Sequence, residues 1–425
     1  MALFARDQGS VVILMAAPGR ERCEPRRQQA SLFAPPAAAR QVLRPVAAAG
    51  QAKLQLRMPA ASSARPAAQC ASRSTCCAAS SRIDPFGGPA GPFKPPHPSL
   101  AYSGSVPTAI DAPPLPIHPA LTGLGILERG WLSSNNVLVH GDGAGATLID
   151  TSHCLHGALT VELVRRALER AGSGERLARI VNTHLHSDHC GGNAALQRAF
   201  DAPLHVPRAS WDAVQRWDED ALTYRASGQR CERFCAQAAL APGDVLDTGP
   251  RRWQVLAAPG HDPDSLMLFD DDRGVLISAD ALWENGFGIV FPELEGEQGF
   301  DDVAAVLDLI ERLPVRVVIP GHGGPFTDAA GAIERARVKL ASFRAEPKRH
   351  TRHAAKVLIK YHLLEERQQP LPELMQWMQQ TPLAQAIWRK LDRPERTIDA
   401  WVQSLVGEMT DSGALVLHDG VVYDA

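Results

Sequence analysis

The sequence predicts an α/β layered body followed by a small C-terminal helical, winged-helix-like module, and three observations carry that prediction. Short apolar runs of strand length come first in succession and then alternate with helical stretches between about residues 120 and 345. Beyond about Ala329 the strand runs stop, and helical periodicity continues to a short final hairpin. The chain has 425 residues, 45% of them apolar and 21% charged, enough for more than one domain with a full core.

Leu124–Leu127, Asn136–His140 and Ala146–Asp150 read as consecutive strands, with His140-Gly141-Asp142-Gly143 as a turn. A helix follows over Ala158–Ala171, with Leu159, Leu163 and Leu168 on its apolar side and Gly172 and Gly174 ending it. Alternation then sets in: strand Ile180–Asn182, helix Asn193–Phe200, strand Leu204–Val206, helix Ala209–Trp217. Further strands are predicted at Trp253–Ala257, Ser265–Phe269 and Val275–Ser278, then helix Asp301–Leu313 and strand Val315–Ile319. Such a pattern implies sheets covered by helices. Helices over Gly331–Arg344, His353–Glu366, Leu371–Gln379 and Thr397–Ser412 precede strands Ala414–His418 and Val421–Tyr423, which turn at Asp419-Gly420.

Residues 1–84, dense in Ala, Pro, Ser, Gln and Arg, predict a disordered leader that is either an organelle transit peptide or an overlong start with initiation at a site such as Met58. Residues 85–119 are Pro/Gly-rich and read as a linker to a body at 120–345 and a C-terminal module at 346–425. The net charge of −3 hides an asymmetry. Residues 1–83 hold twelve Lys/Arg against three acids, so the remainder carries −12, which disfavours indiscriminate coating of nucleic acid. No apolar run reaches the roughly 18 residues of a membrane span, so no membrane partner is expected. Four cysteines lie in the first 77 residues and four in the body, where Cys231 and Cys235 read as packing residues; a reducing, cytoplasmic compartment is the expectation, or an organelle if the leader is a transit peptide.

The chemistry lies in His184-Leu185-His186-Ser187-Asp188-His189, followed by Gly191-Gly192 directly after the apolar Ile180-Val181. Neutral imidazole nitrogens and carboxylate oxygens at about 2.0–2.2 Å are ligands that Zn²⁺ accepts, and clustering them on one loop lowers the entropy of organising the site. His261 and His322 each follow Pro-Gly after an apolar run, so both sit on a sharp turn at a strand end, and Asp280 follows Ile277-Ser278-Ala279. Cys190 is expected to pack beneath the ligands, and His153, His156, His205, His350, His353 and His418 to be ordinary surface or capping residues.

Taken together and in this order, these motifs resemble the metallo-β-lactamase superfamily over about residues 121–345, with HxHxDH at His184–His189. The resemblance implies an αββα sandwich and two Zn²⁺ ions, with iron or manganese as alternatives. It implies one ion on His184, His186 and His261, a second on Asp188, His189 and His322, and Asp280 bridging, with Asp188 also assigned to catalysis and Asp150 supporting the metal loop from behind. A hydroxide shared by the ions would attack a thioester or ester carbonyl, as in glyoxalase II-like members. The chain departs from those members in lacking a recognisable glutathione-binding end. Its last helices look instead like the C-terminal module of lactamase-β-like endoribonucleases.

An RNA phosphodiesterase is therefore the alternative. Nine Lys/Arg between Arg335 and Lys360 face one acid, Glu346, and Lys348, Arg349 and Arg352 in that stripe are candidates for gripping RNA or coenzyme A phosphates. Trp283, Phe287 and Phe291, soon after Asp280, are candidates to wall an apolar substrate pocket. A non-catalytic metal-binding protein ranks last because no ligand is missing, and β-lactam hydrolysis is disfavoured because no export signal is recognised. The expected partner is a small-molecule ester or thioester. Nothing in the sequence specifies an oligomeric state.

Overall fold

In the computed structural model the described residues are 3–4 and 118–425, apart from Asp142, Ser173 and Pro394. The predicted leader and linker thus lie almost wholly outside the described residues.

Two sheets form the body. The first runs in chain order: β1 (Leu3–Phe4), β2 (Leu124–Glu128), β3 (Asn136–Val139), β4 (Ala146–Ile149), β5 (Leu177–Val181), β6 (Leu204–Pro207) and β7 (Ala238–Leu240). β2, β3 and β4 pair antiparallel, whereas β4 to β7 are parallel. The parallel steps need crossovers, and the helices α1 (Gly157–Ala171) and α3 (Asn193–Phe200) supply them, with the single-turn α2 (Ser187–Cys190) between β5 and α3. Two short helices, α4 (Trp211–Arg216) and α5 (Tyr224–Ser227), lie between β6 and β7. The second sheet has the order β12-β11-β10-β9-β8, built from β8 (Val245–Asp247), β9 (Arg252–Ala257), β10 (Leu266–Asp270), β11 (Val275–Ala279) and β12 (Val317–Pro320). Here α6 (Phe291–Glu295) and α7 (Gly299–Arg312) carry the chain from β11 to its parallel neighbour β12.

Side chains of a strand alternate between its faces, and the alternation assigns each sheet two cores. In β3, Val137 and Val139 join a cluster shared with Val255, Leu268, Ile277 and Ile319 of the second sheet, while Leu138 joins Leu163, Val164 and Leu196 of the helices. In β11, Val275 and Ile277 point into the shared cluster and Leu276 into one with Val306, Leu307 and Ile333 of the outer helices. The layers are helix, sheet, sheet, helix, the αββα arrangement.

The C-terminal segment comprises α8 (Ala329–Ala345), α9 (Pro347–Glu366), β13 (Gln368–Pro370), α10 (Leu371–Gln380), α11 (Pro382–Lys390), α12 (Ile398–Asp411), β14 (Leu415–His418) and β15 (Val421–Asp424). β14 and β15 form an antiparallel hairpin over Asp419 and Gly420, both at positive φ as a tight two-residue turn requires, and β13 pairs on the other side of β15. A separate core of Trp401, Leu405, Leu363, Ile359 and Leu374 also takes in Ile289 and Leu294 from the body. Two differences from the sequence reading matter here. α9 starts six residues before the predicted His353, because Pro347 suits a first helical turn, and α11 was not predicted at all. Strands β7 and β8 were also missed, since Ala-Ala-Leu and Val-Leu-Asp each bury a single residue and carry no readable alternation.

Candidate metal centre

Every predicted ligand lies just past the C-terminal end of a strand. His184–His189 follow β5, His261 follows β9, Asp280 follows β11 and His322 follows β12. Close packing at these turns leaves no room for side chains. A Cβ on Gly321 would lie 2.1 Å from Asp280 Oδ1, and one on Gly288 would lie 2.4 Å from His261 Nδ1. Three non-glycine residues with positive φ also gather here, Asp150 (58°), Ser152 (71°) and Ala279 (47°), which marks backbone held in place by its surroundings.

The seven side chains fall into two buried groups whose ligand atoms lie within 4.8 Å of one another: His184, His186 and His261, and Asp188, His189, Asp280 and His322. In the first group His186 Nδ1 is 3.1 Å from His184 Nε2 and 2.7 Å from His261 Nε2. In the second, His322 Nε2 is 3.0 Å from Asp188 Oδ2, and His189 Nε2 is 3.6 Å from the same oxygen. Asp280 faces both groups, with Oδ1 3.4 Å from His189 Nε2 and Oδ2 3.4 Å from His261 Nε2.

Hydrogen bonds at the opposite ring nitrogens aim these imidazoles inward. His261 Nδ1 donates to the Ile289 carbonyl at 2.6 Å, and His189 Nδ1 donates to Asp150 Oδ2 at 2.8 Å. Asp150 also accepts from the Thr183 backbone N–H at 2.9 Å and its hydroxyl at 2.8 Å, so one carboxylate fixes the base of the loop and one of its ligands. Replacing Asp150 with alanine is expected to weaken metal affinity by about 10–100-fold, measured as faster metal release to a chromogenic chelator. Unchanged release would remove Asp150 from this role.

The electrostatics suit divalent cations. Burial pushes His184 well below its ordinary pKa, His186 down to about 3, and His261 downward, which leaves neutral imidazoles with free lone pairs. Against burial, His189 and the hydrogen-bonded His322 hold Asp188 ionised, at about 2, and His189 and His322 hold Asp280 well below the carboxylate range. Burial likewise opposes charge on His189, yet Asp188, Asp280 and Asp150 raise its pKa. Three buried carboxylates thus draw a proton onto an imidazole whose Nε2 has no hydrogen-bond partner. A metal cation at that nitrogen satisfies both the orphaned atom and the uncompensated charge.

A cavity of about 140 Å³ opens on both groups. Trp283 and Phe291, both expected at a pocket wall, line it. Trp283 Nε1 donates to Asp280 Oδ1 at 3.1 Å, and the Phe291 ring centroid lies 5.0 Å from that of His186. The other four pocket candidates are placed elsewhere. Phe287 is buried beside Phe343 and borders a neighbouring cavity of about 510 Å³. Lys348 pairs with Asp392, Arg349 with Ser342 and Glu346, and Arg352 with Glu408, and none of the three lines either cavity.

Several residues of the site were not singled out in the sequence. Trp131 stacks on His322 with ring centroids 5.3 Å apart, and Asn135 donates to the Pro320 and Gly323 carbonyls on either side of that histidine. Helix α9 places Tyr361 Oη 2.8 Å from Ser187 Oγ, within the metal loop, and Glu365 Oε1 2.9 Å from His153 Nε2. His153 is therefore a buried partner of the C-terminal segment and not a surface histidine; His350, also buried, accepts from the Val290 N–H. The spacing Ala354, Val357, Leu358, Tyr361, His362, Glu365 was the available signal, a single helical face with polar groups at one end. Cys190 is fully buried beneath the loop, its thiol donating to the Leu185 carbonyl.

Residues 129–322 match the metallo-beta-lactamase superfamily. The chain is 30% identical over 177 residues to the acyl-coenzyme A thioesterase MBLAC2 of Homo sapiens, covering 38% of this chain and 61% of that protein. It is 34% identical over 156 residues to a hydroxyacylglutathione hydrolase of Nitrobacter winogradskyi, covering 36% of this chain and 50% of the relative. The chain thus spans less than two thirds of these relatives' length. A solved metallo-beta-lactamase family protein from Thermus thermophilus aligns at 20% identity with a TM-score of 0.43, covering 71% of this chain and 99% of that one.

Proposed function

Residues 129–322 match the metallo-β-lactamase superfamily, and on that premise we propose that the chain hydrolyses thioesters at a dinuclear zinc centre. The observation that carries the proposal is the convergence of the two ligand groups, joined by Asp280, on the floor of an apolar cavity. His184, His186 and His261 would hold one ion, Asp188, His189 and His322 the other, with Asp280 bridging. When bound, two divalent ions lower the pKa of a water molecule and polarise the carbonyl oxygen of the substrate.

The chain's own residues supply the rest. Asp188, kept ionised, accepts a hydrogen bond from the attacking water and orients it. Trp283 anchors Asp280 through its indole N–H, and Trp131 and Phe291 exclude bulk water from the cavity mouth and floor. The leaving group narrows the substrate class. A thiol with a pKa of about 8.5 departs as thiolate without a general acid, whereas an amine or alkoxide needs one. The two acids of the ligand groups, Asp188 and Asp280, are held ionised and are not proton donors. The names of the two relatives, a thioesterase and a hydroxyacylglutathione hydrolase, point to the same bond.

Phosphodiester cleavage is less well supported, because most of the basic stripe is already ion-paired within the chain. Arg337 is held by Asp308 and Glu311, Arg344 by Asp301, Arg352 and Lys356 by Glu408, and Lys360 by Asp424. Zinc-loaded protein assayed in parallel on acyl-coenzyme A, acyl-glutathione and single-stranded RNA is expected to turn over thioester and leave RNA intact, with about two zinc ions per chain by elemental analysis. Cleavage of RNA with both thioesters untouched would reverse the assignment.

A further inference from the structure

The part of the cavity beyond the metal groups is walled by helices that lie outside the matched superfamily region. Ala354, Val357 and Leu358 of α9, Trp377 of α10 and Leu383 of α11 face Ile289 and Leu294 across it. Apart from the ligand end, the polar side chains on this wall are already engaged: Tyr361 with Ser187, His362 with Gln369, and Glu365 with His153. A pocket of this make-up binds hydrocarbon and offers few free partners to a hydroxylated or charged acyl group.

One residue of this wall is contacted from two sides. The Trp377 indole stacks on His362 with centroids 3.7 Å apart and planes 9° from parallel, and His362 is itself fixed by Gln369 at 2.9 Å. On its other side Gly228 approaches so closely that an added Cβ would lie 3.1 Å from the indole, and Gly228 sits at φ +73°, where other residues are strained. Trp377 is thus clamped between α9 and the loop after α5. None of its ring contacts is to a metal-ligand histidine, whereas Phe291 touches both His186 and His261, so Phe291 borders the ligand end and Trp377 stands further out along the cavity.

We infer that this cavity takes the straight apolar acyl chain of the substrate and that Trp377 is the specificity-determining residue that limits its length. The inference rests on the thioester reading above and deepens it, by assigning the C-terminal helices to acyl recognition. The whole cavity, ligand end included, is about 140 Å³, close to one that holds a single benzene-sized molecule, so the limit falls within the series of short chains.

The test uses the full chain loaded with zinc and straight-chain carboxylates from butanoate to dodecanoate, the products of such hydrolysis, titrated by calorimetry. Affinity is expected to rise about fourfold per methylene up to the limit and then to stop rising. Trp377→Ala is expected to move the break at least two carbons longer, Trp377→Phe less far, and Leu383→Phe, which fills the cavity, to shorter chains. The same shifts are expected in kcat/KM across an acyl-coenzyme A series. Should Trp377→Ala fail to fold, Trp377→Phe and Leu383→Phe decide the matter. Affinity indifferent to chain length, or a break that stays put in the folded variants, overturns the inference. Length-dependent binding with no thioester turned over would keep the acyl pocket and remove the hydrolase reading; turnover with a flat length profile would do the reverse.

Discussion

Replacing His261 or Asp188 with alanine is expected to lower kcat/KM for thioester hydrolysis by on the order of 10³-fold or more, with the protein still folded. The size follows from what each ligand contributes. His261 is one of three side chains in its group and Asp188 one of four in the other, so either loss leaves one ion short of a ligand. An ion that no longer stays bound withdraws several kcal/mol of transition-state stabilisation, and each 1.4 kcal/mol is a factor of about ten. The fold should survive because the ligands sit past strand ends and contribute nothing to the apolar clusters between and outside the sheets. Near-wild-type kcat/KM in either variant would refute the assignment, as would loss of the cooperative thermal transition alongside the loss of activity. Elemental analysis of the same samples is expected to find less than two zinc ions per chain.

The candidate ligand set was legible in the sequence because the residues that gather are local in each segment. His184, His186, Asp188 and His189 share one loop, and His261 and His322 each announce their turn with Pro-Gly. The αββα layering was legible where strands are apolar runs buried along their whole length, as in β10 and β11, and illegible in β7 and β8, where each strand buries a single residue. What surrounds the metal groups depends on pairings across great sequence distance. Ser187 meets Tyr361, His153 meets Glu365, and Asn135 meets Pro320, contacts 174, 212 and 185 residues apart, which no local pattern encodes. The pairing of the basic stripe was hidden for the same reason. Nine cations are visible in a row, but the acids that pair with five of them, Arg337, Arg344, Arg352, Lys356 and Lys360, arrive from α7, α12 and β15 only after folding.

Lys339 is the exception within that stripe, and its replacement by methionine is expected to stabilise the protein at pH 7, by at most about 3 kcal/mol. The Lys339 ammonium reaches no carboxylate. It donates to the Phe287 carbonyl at 2.9 Å and lies 4.8 Å from the Phe287 ring centroid, with Trp283 and Phe343 also beside it. Burial lowers its pKa from 10.5 to about 8. A depressed lysine pKa means that folding penalises the charged form, and 2.5 units correspond to roughly 3 kcal/mol at pH values below both constants, an upper figure for a side chain that is not fully enclosed. The sign with pH follows. Between about pH 8 and 10.5 the unfolded chain binds the proton that the folded chain has released, so wild-type stability should rise with pH across that window. In Lys339→Met, which keeps the aliphatic stem and drops the charge, the rise should be absent and the two proteins should converge at high pH. Denaturant unfolding at pH 7, 9 and 10.5 reads both effects, and at pH 7 each kcal/mol is worth roughly 2–4 °C in Tm for a domain of this size. A variant less stable than wild type at pH 7 would mean that the carbonyl and ring contacts outweigh desolvation. The site lies beside Trp283, which donates to Asp280, so the cost of burying this cation is borne in the cavity that adjoins the candidate metal centre, where strained and desolvated groups persist because the surrounding layers hold them.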